Sequence, residues 1–195
     1  ASGLGYTLGM FQNAEEGEID FENLESSFSN LVSETADRVK EFRKLVSEAD
    51  FDVAFHPILN TVSGEPHHYE ALVRFKKDGK GVFPYETITF AEEAGLIPEF
   101  DLAMATKVVN HLANIPDRYQ AAINISGFSV GDEKYVAGLK ALLANNQWAA
   151  ERVLFEITES SRMADLEAAN EFIQVLRKDG YEVCLDDFGA GAASF

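Results

Sequence analysis

The chain has 195 residues, 46% hydrophobic and 25% charged, a globular balance in a length that suits one domain with a sizeable core. Acidic residues outnumber basic ones 33 to 16, giving a formal net charge of −17; such a field repels phosphates, so no nucleic-acid polymer is expected as a partner. No apolar stretch approaches the roughly 18 residues of a membrane helix, so no membrane contact is expected within this segment, and Cys184, the single cysteine, permits no internal disulfide, which points to a reducing, cytoplasmic compartment.

Residues 1–18 contain several glycines and little pattern, and read as a linker or the end of a preceding domain. The chain begins without Met or a signal peptide, so it is expected to be a piece of a longer signalling protein. Residues 19–50 follow a helical rule: Phe21, Leu24, Phe28, Leu31, Thr35, Val39, Phe42 and Val46 recur three or four apart, one apolar stripe of a linker or signalling helix. The repeat is not a strict heptad, because Arg38 holds a position that Val39 would suit better.

After Asp50 the period changes. FDVAFHPIL (51–59) and HHYEALVRF (67–75) read as two strands paired across a turn at Ser63-Gly64-Glu65-Pro66. ETITFAEEAGLI and EFDLAMATKVVNHLANI follow as helices, AAINIS (121–126) as a strand, EKYVAGLKALLANN as a helix and RVLFEITES (152–160) as a strand. ADLEAANEFIQVLRKDG is a helix stopped by Gly180, and EVCLDDFG (182–189) is the fifth strand. Strands alternating with helices mean parallel βαβ units. Asn124, Glu156 and Asp186 recur 32 and 30 residues apart, the length of one βα repeat, which favours a barrel.

The four later strands each carry polar chemistry, expected near their C-terminal ends: Glu70, Asn124, Glu156 and the pair Asp186-Asp187. Side chains alternate along a strand. Val153, Phe155 and Ile157 therefore face outward if Glu156 faces inward, and the same parity turns Glu70, Asn124 and Asp186 toward one centre. Gathered carboxylates resist ionisation unless a cation joins them. A donor set of oxygens, without Cys or paired His, points to Mg²⁺, Mn²⁺ or Ca²⁺ rather than zinc. Asp186 could bridge two ions with Asp187 beside it, the apparatus of in-line phosphodiester hydrolysis. Arg74 shares the face of Glu70 and Leu72, where it either neutralises the acids or holds a phosphate or guanine edge. His67 and His68 are adjacent on a strand and should face opposite sides, which suits a turn or surface role better than chelation. GAGAAS lacks the third glycine of a dinucleotide loop, Ser194 standing in its place.

Several motifs occur in order: FHPI (55–58), EALVRF (70–75), FAEEAGLI (90–97), NIS (124–126), FEITES (155–160) and LDDFGAG (185–191). Over residues 51–195 the chain resembles the EAL domain family of bacterial cyclic-di-GMP phosphodiesterases, which implies an α/β fold, a modified TIM (β/α)8 barrel. The resemblance implies hydrolysis of cyclic-di-GMP to linear pGpG with two Mg²⁺ or Mn²⁺ ions, Ca²⁺ being an inhibitory occupant. Metal ligands would be Glu70, Asn124, Glu156, Asp186 and Asp187, and Glu159 would steady the loop after DDFG. Arg74, Leu72, His56 and Pro57 would meet the dinucleotide. The family's usual Tyr-Gln-Pro-Ile is Phe55-His56-Pro57-Ile58 here, so a contact normally made by glutamine falls on His56. Gly127 stands where proline is common and Ala190 where threonine is frequent; neither change removes a metal ligand.

The family barrel continues for three more strands, bearing a lysine, a further acidic ligand and a glutamine. The chain is thus expected to hold an incomplete barrel and to be weakly active or inactive by itself. The alternative function is a non-catalytic cyclic-di-GMP receptor acting through dimerisation; a homodimer is expected in either case.

Overall fold

The computed structural model describes residues 24–77, 80–82, 84–158 and 166–186. The expected linker 1–18 therefore lies outside the described residues, as do Glu159 and Asp187. The first element is helix α1 (Leu24–Ser47), followed by strands β1 (Asp52–Leu59) and β2 (Pro66–Lys77) and a short strand β3 (Lys80–Val82) that sequence periodicity did not reveal. Helices α2 (Pro84–Glu93) and α3 (Ile97–Leu112) precede β4 (Ala121–Ser126). Helix α4 (Glu133–Ala144) and a short 3-10 turn (Gln147–Glu151) lead to β5 (Val153–Thr158), and helix α5 (Leu166–Lys178) to β6 (Glu182–Asp186).

The strands form one sheet in the order β1-β2-β4-β5-β6, with β3 paired to β2 beside this path. β1 and β2 are antiparallel, while β2-β4, β4-β5 and β5-β6 are parallel. This is the arrangement of an α/β barrel that is not closed among the described residues, opened by a hairpin in place of a βα unit. Asn60 makes that hairpin. Its side-chain oxygen accepts from the Val62 and Ser63 amides at 2.9 and 3.1 Å, and Gly64, at φ +75°, donates to the Asn60 carbonyl at 2.8 Å. Pro66, expected in the turn, already pairs with Leu59.

FAEEAGLI is not one helix. Gly95, at φ +67°, ends α2: its amide donates to the Glu92 carbonyl at 3.1 Å, and Leu96 N donates to the Ala91 carbonyl at 2.7 Å. That double closure is a Schellman cap, and Pro98 at the next helix start then opens α3. The same closure ends α5, with Gly180 at φ +92° and Tyr181 N bonded to the Leu176 carbonyl at 3.0 Å. The N-cap of α4 is Asp132, whose carboxylate accepts from Tyr135 N at 2.8 Å.

The core lies between the outer face of the sheet and the helices. Ile123, Ile125, Phe155 and Ile157 are fully buried there, against Ala105, Val108 and Val109 of α3, Leu139 of α4 and Leu176 of α5. Leu185, expected to face outward with Val183, is 48% exposed on β6, the last strand of the described sheet. A second cluster is made of phenylalanines. Phe42 of α1 meets Phe90 and Phe100 at 6.4 and 6.3 Å between ring centroids, and Phe100 meets Phe51 and Phe75 at 5.3 and 5.6 Å. Arg38, awkward as a heptad residue, lies over the Phe90 ring at 4.0 Å, and Arg43 pairs with Glu99 at 3.3 Å. Burying a phenylalanine such as Phe42 contributes roughly 2–3 kcal/mol, so α1 is docked on the barrel through this cluster. At the opposite end of the sheet from Asp186, buried Arg152 donates from Nε to the Tyr119 carbonyl at 3.0 Å and from Nη2 to the Pro116 carbonyl at 3.1 Å. It thereby satisfies the carbonyls of the loop entering β4.

Candidate functional site

The expected alternation is present along β5. On β5, Val153, Phe155 and Ile157 are buried on the helix side while Glu156 is half-buried on the other. Cross-strand register extends that inner face. Asn124 is level with Glu156, Glu156 with Cys184, and Glu70 with Ala122, two residues before Asn124. Asp186 is level with Thr158, two residues beyond Glu156. The four positions thus climb one pleat between β2 and β4 and one between β5 and β6. A tilted barrel strand requires such a stagger, because residues at one height along the barrel axis are offset along the strands.

The placement of Glu70 corrects one expectation. It is the fifth residue of a twelve-residue strand, not the end of one, because β2 continues past it to pair with β1 and β3. The polar pair it forms is direct: Asn124 Nδ2 donates to Glu70 Oε1 at 3.1 Å, joining residues 54 apart in sequence. Asp186 ends β6, and its side chain lies outside the description, as does all of Asp187 and Glu159.

The expected ligand-binding residues divide by face. His56 is level with Glu70, and Leu72 and Arg74 follow Glu70 at even spacing, so these share its face; Pro57, level with Tyr69, falls on the other. Arg74 is exposed and donates from Nη1 to the Val73 carbonyl at 2.8 Å. The adjacent histidines do not part as alternation suggested. Their rings meet edge-on at 5.2 Å, with the two Nδ1 atoms 2.9 Å apart, because Nδ1 sits close enough to the backbone for ring rotation to bridge the strand edge. His68 turns inward, its Nε2 4.0 Å from Glu156 Oε1. Burial holds its pKa below the usual imidazole value; the neighbouring His67 adds to this, while Glu182 and Glu70 oppose it.

A second set of carboxylates, unnoticed in the sequence, grips the end of β4. Asp101 of α3 accepts from the Ser126 amide at 2.9 Å and from Ser129 Oγ at 2.6 Å, and Ser126 Oγ donates to Glu92 Oε1 at 2.7 Å. Helices α2 and α3 therefore hold the strand end two residues beyond Asn124. Burial pushes the Asp101 pKa from its usual 3.8 to about 7, against the two hydrogen bonds that lower it. One sequence signal for it exists: Asp101 interrupts the buried stripe Ile97, Phe100, Met104, Val108.

Among the described residues, no three His, Cys, Asp or Glu side chains are grouped closely enough to hold a metal ion. The donor chemistry still suits one. Glu70 and Glu156 offer carboxylate oxygens, and the bond to Glu70 occupies the Asn124 amide nitrogen, so its carbonyl oxygen is the donor left to a cation. Among the described residues no helix is long and apolar enough to cross a membrane.

Comparison with known proteins identifies the family and the fold. The profile of the family described as EAL domain matches residues 39–195. The cyclic di-GMP phosphodiesterase PdeR of Escherichia coli (strain K12) is 31% identical over 156 residues, 78% of this chain and 23% of that protein. The Vibrio cholerae LapD segment comprising S helix, GGDEF and EAL, bound to c-di-GMP, superposes with a TM-score of 0.72 at 19% identity, covering 82% of this chain and 39% of that one. The Xanthomonas citri FimX EAL domain in complex with c-di-GMP superposes with a TM-score of 0.66 at 20% identity, covering 76% and 59%. At these identities the superpositions speak to the fold, an EAL-type barrel that is not closed among the described residues. The chain spans 18–28% of the length of eight curated relatives it matches.

Proposed function

Because the chain belongs to the EAL domain family, we propose that it forms the metal-binding part of a phosphodiesterase that hydrolyses cyclic di-GMP to linear pGpG in second-messenger signalling. The observation that carries the reading is the Glu70–Asn124 hydrogen bond at 3.1 Å, made between two strands on the face they share with Glu156. In this reading Glu70, Asn124, Glu156, Asp186 and Asp187 hold two divalent ions, Mg²⁺ or Mn²⁺. When bound, such ions spread the charge that develops on the phosphodiester.

The chain's own residues do the rest. Asn124 keeps Glu70 oriented, and the Glu92–Ser126–Asp101 bonds fix the strand end that carries Asn124. Arg74, with one guanidinium nitrogen on Val73 and others unused by that bond, binds a phosphate or guanine edge. Leu72 and His56 sit on the same face to meet the dinucleotide, with Pro57 beside His56. The net charge of −17 makes metal neutralisation necessary before an anionic substrate can settle there. A homodimer and a cytoplasmic location belong to the same proposal, the dimer being checked by the sedimentation of the full-length protein.

The test is turnover. Full-length protein with Mn²⁺ should convert cyclic di-GMP to pGpG, and Glu70→Ala should lower kcat/KM by at least about 100-fold, the loss expected when a group stabilising the transition state through the metal is removed. Unchanged turnover in that variant overturns the proposal. Tight binding of cyclic di-GMP without turnover would make the protein a receptor instead.

A further inference from the structure

His67 and His68 are neither metal ligands nor dinucleotide contacts in the phosphodiesterase reading. Among the described residues two buried side-chain polar atoms have no hydrogen-bond partner, and one of them is His68 Nε2; the other is the Tyr135 hydroxyl. His68 Nε2 lies 4.0 Å from Glu156 Oε1, while its Nδ1 is 2.9 Å from Nδ1 of His67. One of those two Nδ1 atoms must carry a proton. If it were on His68, the Nε2 lone pair would face a carboxylate oxygen across a half-dry gap, which is repulsive. With the proton on His67, His67 Nδ1–H donates to His68 Nδ1, and His68 Nε2–H is aimed at Glu156. Among neutral rings this tautomer alone places opposite partial charges at both ends, and in every arrangement that does so His68 Nε2 carries a proton toward Glu156.

We propose that His68 is a positioning residue for Glu156, holding the carboxylate by its Nε2–H while His67 fixes the ring. The inference rests on the reading of Glu156 as a metal ligand. At 4.0 Å the contact is not yet a hydrogen bond. A shift of about 1 Å by either side chain makes it one, and the cost of a buried unsatisfied N–H favours that shift. The bond would occupy one side of the carboxylate and hold the rest of it toward Asn124, level with Glu156 on the adjoining strand. Partners in this role are worth about 10- to 100-fold in metal affinity.

The experiment measures Mn²⁺ binding to the full-length protein by titration calorimetry, without substrate. His68→Leu should weaken Mn²⁺ binding about 10- to 100-fold, and His68→Gln, which keeps an N–H at similar reach, should recover most of it. His67→Ala, at an exposed ring, should weaken binding severalfold by freeing the His68 ring, an intermediate loss. A merely structural His68 predicts lowered unfolding temperature in both His68 variants with Mn²⁺ affinity unchanged, and that result overturns the proposal. Mn²⁺ affinity lost in Glu156→Gln but unaltered in His67→Ala and His68→Leu overturns it too, leaving the metal centre intact. Wild-type protein that binds no Mn²⁺ overturns the metal reading itself, and this inference with it.

Discussion

Asp101 shows how much a single residue can alter the behaviour of the whole domain. It is 4% exposed, and its pKa of about 7 stands above the usual 3.8 because burial penalises its charged form. In the unfolded chain it ionises near pH 4; in the folded chain it keeps its proton to about pH 7. The folded state therefore binds more protons across that window, and stability falls as pH rises from about 4 to 7, then levels off. The span of about three pH units corresponds to a loss on the order of 4 kcal/mol. Asp101→Asn retains a carbonyl oxygen for the Ser126 amide and the Ser129 hydroxyl, and puts an amide where the proton sits. Urea unfolding at pH 5 and pH 8 should give nearly equal midpoints for that variant and a clearly lower midpoint at pH 8 for the wild type. At this scale the sequence was informative where a residue obeyed its strand period, as Glu156 does. It marked Asp101 as a break in an apolar stripe and His68 as sharing the parity of Glu70, but was mute on their partners, Ser126 and Ser129 for the one and Glu156 for the other.

At the scale of elements, three helices among the described residues end by the same closure, and two of them use glycine for it. The third does not. Ala49, at φ +49°, closes α1, with Asp50 N donating to the Leu45 carbonyl at 2.9 Å and Ala49 N to the Val46 carbonyl at 3.1 Å. A left-handed alanine is strained by its Cβ against the backbone. Lys107 holds it in place, its ammonium donating to the carbonyls of Ala49 and Phe51. Ala49→Gly should therefore raise stability by about 0.5–1 kcal/mol, read as a higher thermal midpoint. A lowered midpoint would mean that the Lys107 bonds, not the αL strain, govern this corner. The period of 3.6 announced α1 and the end of α5, but FAEEAGLI read as one helix. Apolar spacing runs unbroken through a tight cap, and only the φ of Gly95 separates α2 from α3.

For the whole molecule the dominant quantity is charge. With a net −17, any approaching anion meets repulsion that acts over the Debye length of about 10 Å at 0.1 M salt. In the phosphodiesterase reading, raising NaCl from about 50 to 200 mM at saturating Mn²⁺ should lower the KM for cyclic di-GMP, with kcat little changed. A KM that rises with salt would show that local cations such as Arg74 outweigh the global field.

What the sequence alone determined is the set of faces. A strand alternates with period two whatever it pairs with, so the shared inward face of Glu70, Asn124 and Glu156 was readable without coordinates, as was the alternation of strands and helices. The motifs then pointed to the family that the profile match shows. Which inward residues meet was decided by the tertiary structure. The offset of one pleat between β2 and β4 brings Asn124 to Glu70, and the fold of the sheet carries His68 toward Glu156. Register and strand tilt arise from how neighbouring strands slide to pack helices on one side, a balance among residues far apart in sequence that no local period encodes.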